Sequence, residues 1–132
     1  MILADTSVWI DFLRGADSPH RRALHDLIEN DEDVCITGII LTEVLQGIRD
    51  EKDYKLTREY LLEFSVFHPE GTATYLEAAR IYRDCRKRGG TVRKTVDCVI
   101  AAICIENGLI LLHKDRDFDL IEEHAGLKCY KV

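Results

Sequence analysis

Four carboxylates in this chain stand alone in apolar surroundings. Asp5 ends the run Ile2-Leu3-Ala4 and is followed by Val8-Trp9-Ile10. Glu43 is the only charge between Val34 and Ile48, and Asp97 the only one between Lys94 and Glu106. Asp115 follows the apolar stretch "LILL" after only His113 and Lys114. Taking a carboxylate out of water is costly unless something pairs with it. Each acid has a bland explanation on its own. Asp5 could cap a helix starting at Thr6 or Ser7, Asp97 suits the positive end of a helix, and Asp115 could be a turn residue. Glu43 has the weakest such explanation, because it falls inside a helical stretch.

Taken together the four point elsewhere. In an open parallel sheet the carboxyl ends of all strands lie along one edge. Asp5 and Asp115 follow expected strands, Glu43 lies about one turn into a helix after another strand, and Asp97 opens a buried helix. All four can meet in one crevice. Two unit charges ~4 Å apart repel by about 1 kcal/mol in water and about 4 kcal/mol at an effective dielectric of 20. Such a group needs protons or a cation, and an oxygen-only, thiol-free site suits Mg²⁺ or Mn²⁺. A carboxylate-held ion of this kind activates water and clamps phosphodiester oxygens, so the substrate would be a nucleic acid.

The elements that must position these acids are readable from periodicity and punctuation. "MILAD" predicts a buried strand and "TSVWIDFLRG" a helix closed by Gly15. Ser18 and Pro19 are a cap and first position for the next helix. "VCIT" predicts a strand, "GIILTEVLQGIR" and "EKDYKLTREYLLEF" helices, and "SVFHP" a brief strand. "TATYLEAARIYRDCRKRGG" predicts a helix with Tyr75, Ala78, Ala79, Tyr82 and Cys85 on one face. "KTVDCVIAAICIENG" is apolar almost all round, hence a buried helix ending at Asn107-Gly108. "LILL" predicts a strand, "FDLIEEHAG" a short helix, and "LKCYKV" a closing edge strand. Strands alternating with helices imply an α/β fold around a mostly parallel central sheet.

The length of 132 residues fits a single domain over 1–132 with a real core, given 46% apolar residues. Cys35, Cys85, Cys98, Cys104 and Cys129 are widely spaced without a C-x-x-C, so reduced core cysteines are expected rather than a zinc or redox site. Trp9 is expected in the core and the five histidines at the surface. No apolar run approaches the ~20 residues that cross a bilayer, and the first residues lack the pattern of a leader. A soluble cytoplasmic protein is therefore expected. The net charge of −6 argues mildly against a nucleic-acid partner, yet Arg80, Arg83, Arg86, Lys87, Arg88, Arg93 and Lys94 face only Asp84 within their stretch. Arg80, Arg83 and Lys87 share one helical stripe, either a track for phosphates or a solvated face.

The motifs "ADTSVWIDFL", "TEVLQGI", "TVRKTVDCVIAA" and "LLHKDRDFDLI", in that order, resemble the PIN-domain family, more narrowly the VapC-type toxins of toxin–antitoxin pairs. The resemblance spans nearly the whole chain. It implies a three-layer α/β/α PIN-like domain, Mg²⁺- or Mn²⁺-dependent endoribonuclease activity, a small VapB-like antitoxin partner, and a homodimer. The family's acidic positions fall on Asp5, Glu43, Asp97 and Asp115. Asp5 and Asp97 are then the foremost metal ligands, with Glu43 and Asp115 acting directly or through water. Asp117, two residues past Asp115, could share the latter's role. Thr6 matches the small hydroxyl residue after the first acid, and Arg93 and Lys94 become candidate phosphate contacts. His113 stands where many relatives have threonine. Two rival classes remain. One is a non-catalytic RNA-binding or assembly module, which four intact acids disfavour. The other is a phosphatase-like or response-regulator-like acidic site, for which Lys114 is a poorly placed lysine.

Overall fold

The three-residue strand β1 (Ile2–Ala4) lies in the middle of the molecule, and its position decides where the acids go. The computed structural model describes all 132 residues. The elements follow as α1 (Thr6–Arg14), α2 (Pro19–Glu29), β2 (Val34–Thr37), α3 (Gly38–Gln46), α4 (Glu51–Leu61), β3 (Ser65–Phe67), α5 (Thr72–Lys87), α6 (Thr95–Asn107), β4 (Ile110–Leu112) and α7 (Arg116–Ala125). The four strands form one parallel sheet in the order β3-β2-β1-β4. Leu3 pairs with Cys35 on one side and Leu111 on the other. The chain steps outward from β1 to β2 and β3, then returns through α5 and α6 to place β4 on the opposite side. The carboxyl ends of β1 and β4 therefore border the point where strand order reverses, the usual position of a binding crevice in open α/β sheets.

Helices α1–α4 contact one another, and α5–α7 form a second group. Right-handed crossovers put the two groups on opposite faces of the sheet, which gives the expected three-layer α/β/α arrangement. One cluster of 29 buried apolar residues runs through the sheet and both helical layers. Its centre is α6, where every residue from Asp97 to Cys104 is buried. Trp9 is fully buried and packs edge-on against Phe12 and Phe64. All five cysteines are free, four of them buried. Burial pushes the Cys35 thiol up to about 12 and the Cys98 thiol to about 11, so both stay protonated and inert.

Several boundaries follow their local signals. Ser18 Oγ accepts from the Arg21 amide at 3.0 Å with Pro19 in the first turn, and Gly15 and Gly108 close α1 and α6 with φ of +68° and +65°. Others need correction. Helix α3 stops at Gln46, before Gly47, rather than running to Arg49. Helix α7 starts at Arg116, because Asp115 caps it by accepting from the Asp117 amide at 2.9 Å. The buried stripe of α5 is Thr74, Ala78, Ile81 and Cys85, and Tyr75 is 56% exposed. The helix is rotated because the Thr74 hydroxyl donates to Glu106 of α6 at 2.8 Å, which draws that side inward. "LKCYKV" forms no strand. Cys129 makes a single parallel bridge to Leu111, flanked by the hydrogen bonds Leu111 N–H to Lys128 O and Tyr130 N–H to Leu111 O.

Gly108 turns the chain from α6 into β4, the two elements that deliver Asp97 and Asp115. No atom lies within 4 Å of a Cβ built there, so only the positive φ opposes a side chain. Gly108→Ala should cost roughly 1 kcal/mol of stability through backbone strain alone. Urea denaturation should show a lower midpoint at an unchanged slope.

Candidate active site

Asp5 is the residue immediately after β1, and its backbone amide donates to Leu112 O of β4 at 2.9 Å. That bond holds the two strand ends together beneath the crevice. Asp5 occupies the N-cap position of α1, yet its side chain makes no capping hydrogen bond, so its bland explanation is not realised. Asp115 does cap α7 and so combines a structural role with its place in the cluster. Asp97 enters from the third position of α6. Its backbone amide bonds to Lys94 O at 3.1 Å.

Carboxylate oxygens of Asp97, Asp115 and Asp117 lie within 4.8 Å of one another. Asp97 is 6% exposed and its Oδ2 has no hydrogen-bond partner. Burial, reinforced by Asp5 and Asp115, raises the Asp97 carboxyl to about 7, with Lys94 opposing. Burial likewise raises Asp5 to about 6; the Thr6 amide and Lys94 oppose this, while Glu43 and Asp115 add to it. Glu43 stands at the edge of the group, where its Oε1 accepts from the Thr6 hydroxyl at 2.7 Å. Thr6 thereby ties the acid of α3 to the first turn of α1. The four anticipated acids thus share one neighbourhood, and Asp117 joins them at 2% exposure.

The cations are arranged less simply. Arg93 does not stand free beside the crevice. Its Nε donates to Asp117 Oδ2 at 3.0 Å, its Nη2 to Asp115 Oδ1 at 3.2 Å, and its backbone amide to Asp117 Oδ2 at 3.0 Å. Lys94 is exposed at the N-cap of α6 and lowers both Asp5 and Asp97. The stripe of α5 is partly cancelled: Arg80 is bound by Glu77 and Asp84, whereas Arg83 and Lys87 remain exposed. Lys114 pairs with Asp11 of α1, so it is committed away from the acids, and the response-regulator-like reading loses its lysine.

The sequence model of the PIN domain matches residues 2–123. Ribonuclease VapC11 of Mycobacterium tuberculosis (H37Rv) is 31% identical over 129 residues, covering 97% of this chain and 96% of that protein. The chain belongs to the PIN domain family, within its VapC group. Ribonuclease VapC51 of the same organism is 37% identical over 128 residues, covering 96% of this chain and 89% of that one. Among solved structures, DNA-bound VapBC from Salmonella typhimurium superposes with a TM-score of 0.75 at 20% identity over 98% of each chain. FitAcB from Neisseria gonorrhoeae gives 0.71 at 21% identity, covering 99% of this chain and 97% of that one. These two show a shared fold.

In this PIN domain one supporting contact was not foreseen. His113, expected at the surface with the other histidines, is 8% exposed. Its Nδ1 accepts from the Asp115 amide at 3.0 Å, and its ring packs against Phe118. Burial pushes this imidazole below its ordinary range, with Asp119 opposing, which keeps Nδ1 free to accept. The sequence signal was position alone: a histidine directly after an apolar strand and two residues before an acid.

The raised carboxyls of Asp5 and Asp97 bind protons more tightly in the folded chain than in the unfolded one. Their contribution to stability is therefore complete below about pH 4 and is lost as pH rises through about 6 to 7. Asp97→Asn removes its share of that loss. In EDTA, thermal melts of wild type and Asp97→Asn should nearly coincide at pH 4, and the variant should melt higher at pH 8.

Proposed function

We propose that this PIN domain is a divalent-metal-dependent endoribonuclease and the toxin of a toxin–antitoxin pair. The observation that carries the reading is the orphaned, buried Asp97 Oδ2, in a residue that clusters with Asp115 and Asp117 and has Asp5 as a charged neighbour. A buried carboxylate oxygen without a donor is expensive, and the donors around it are carboxylates without thiol or imidazole. That set fits a hard cation, Mg²⁺ or Mn²⁺. Asp5, Asp97 and Asp115 would hold it, with Glu43 acting directly or through water. When bound, such an ion lowers the pKa of a water and stabilises charge developing on a scissile phosphodiester.

The chain's own residues supply the rest. Thr6 fixes Glu43 Oε1, which orients the other carboxylate oxygen. His113 fixes the Asp115 turn. Lys94 places an ammonium beside Asp5 and Asp97, where a phosphate would otherwise meet only negative charge. The 31–37% identical relatives bear the name ribonuclease, which supports RNA as the substrate. The solved neighbours include toxin–antitoxin complexes such as one from Klebsiella pneumoniae, and they support a small VapB-like antitoxin as partner. A homodimer working in the cytoplasm is part of the same reading. No helix is long and apolar enough to cross a membrane.

Purified protein should cleave RNA in Mg²⁺ or Mn²⁺ and stop in EDTA. Asp5→Asn and Asp97→Asn should each lower the cleavage rate roughly 100-fold or more. Mg²⁺ at 100 times its Kd should stabilise wild type by about 2.7 kcal/mol and Asp97→Asn much less. Cleavage that persists in EDTA, or equal stabilisation of both proteins, would falsify the metal assignment. Expression of wild type should arrest growth while Asp97→Asn is tolerated.

A further inference from the structure

Asp117 is the most enclosed carboxylate of the cluster. Its Oδ2 accepts two N–H groups of a single residue, the backbone amide and Nε of Arg93, both at 3.0 Å. Asp97, by contrast, has a buried oxygen with no partner. Asp115 likewise spends one oxygen, Oδ1, on two N–H groups, but these belong to two residues, the Asp117 amide and Arg93 Nη2. A carboxylate that grips both the main chain and the side chain of one arginine fixes where that arginine points. Arg93 nevertheless stays 63% exposed, and its Nη1 makes no hydrogen bond. The guanidinium is anchored along one edge and open along the other.

We infer that Asp117 is a positioning residue that holds Arg93 across the mouth of the crevice as a phosphate-binding arm. The inference rests on the ribonuclease reading and deepens it by assigning the fifth acid. A guanidinium is suited to this because its planar fork can bind a carboxylate on one side and a phosphate oxygen on the other. A lysine has the charge without the fork. The pair also cancels within the site, so Asp117 adds little repulsion toward an anionic substrate while its partner supplies directed donors.

The sign of one substitution separates this from simple electrostatics. Neutralising an acid beside an RNA site should strengthen RNA binding if only net charge matters. Asp117→Asn should weaken it instead, because the arm loses its anchor. Binding is measured by fluorescence anisotropy of a labelled random-sequence single-stranded RNA pool, across a salt series, in the Asp97→Asn background so that the RNA stays intact. Mn²⁺ affinity is measured by calorimetry in the otherwise wild-type protein. Arg93→Ala should raise the RNA Kd about tenfold and lower the slope of log affinity against log salt by roughly 0.7. Asp117→Asn should reproduce most of that loss, and the double variant should be no worse than Arg93→Ala alone. Arg93→Lys should recover little, and because Arg93 is exposed this arm stands even if Asp117→Asn unfolds. Asp117→Asn should change Mn²⁺ affinity less than about threefold, against a loss of tenfold or more for Asp97→Asn, whose buried oxygen has no other partner.

Tighter RNA binding by Asp117→Asn, full rescue by Arg93→Lys, or a loss of Mn²⁺ affinity equal to that of Asp97→Asn would each overturn the assignment. So would a tenfold gain of Mn²⁺ affinity in Arg93→Ala, which would make the arginine a competitor of the cation. Failure of the ribonuclease reading looks different: the wild-type chain would neither cleave the pool nor bind Mn²⁺.

Discussion

Mutual repulsion among carboxylates at the junction of β1 and β4 is the constraint around which this molecule is organised. The sheet order makes it unavoidable. With β1 between β2 and β4, the residues following two adjacent strands open on the same crevice, and α6 delivers Asp97 into it from the helical layer. Each pair of charges ~4 Å apart costs about 4 kcal/mol at an effective dielectric of 20, against a total stability of about 5–15 kcal/mol for an ordinary domain. The fold meets this in three ways. Arg93 neutralises Asp115 and Asp117 through direct contact. Asp5 and Asp97 hold their protons to higher pH. The continuous apolar cluster around α6 supplies enough burial to tolerate what remains.

The acids themselves were legible because isolation in apolar sequence is a local property. Asp5, Glu43 and Asp97 are each the single charge of a long segment, and nothing about the rest of the chain alters that. Strands and helices with their own punctuation were legible for the same reason, as Ser18-Pro19 and Gly108 show. What failed depended on partners distant in sequence. The face of α5 is set by Thr74 meeting Glu106, 32 residues away, and periodicity alone placed it about one position off. The pairing of Lys114 with Asp11 spans 103 residues. Arg93 is a candidate phosphate contact by the family resemblance, yet its commitment to Asp117 appears only once the α5–α6 loop is folded against α7. The terminal "LKCYKV" has the composition of a strand, but β4 offers it a single bridge at Leu111.

A chain of net charge −6 approaches RNA only where its cations are free. Composition counts seven basic residues between Arg80 and Lys94, and the structure divides them. Arg80 is spent on Glu77 and Asp84, and Arg93 is spent in part on the cluster. Arg86 lies over the Tyr82 ring at 5.7 Å. Arg83, Lys87 and Arg88 are exposed near the end of α5, where basic groups also complement the negative end of the helix. The helix packs against α6. The basic groups at the crevice itself are Arg93 and Lys94, which follow the end of α5 in sequence.

The same economy extends to the backbone. Three helices begin at the acidic cluster: α1 directly after Asp5, α6 directly after Lys94, and α7 directly after Asp115. Each helix start carries the equivalent of roughly +0.5 charge from its free amides. Lys94 makes no side-chain capping bond, so the first amides of α6 have no side-chain acceptor there, while the Thr6 amide that opens α1 faces the Asp5 carboxylate. These partial charges lower the cost of gathering carboxylates, and they do so without moving, at no entropic cost beyond folding. They act with the same sign on a phosphate. An arrangement that must attract a cation and admit a polyanion in one place can satisfy both demands only if fixed positive potential stands behind the acids, and parallel strands feeding helix starts along one sheet edge provide it.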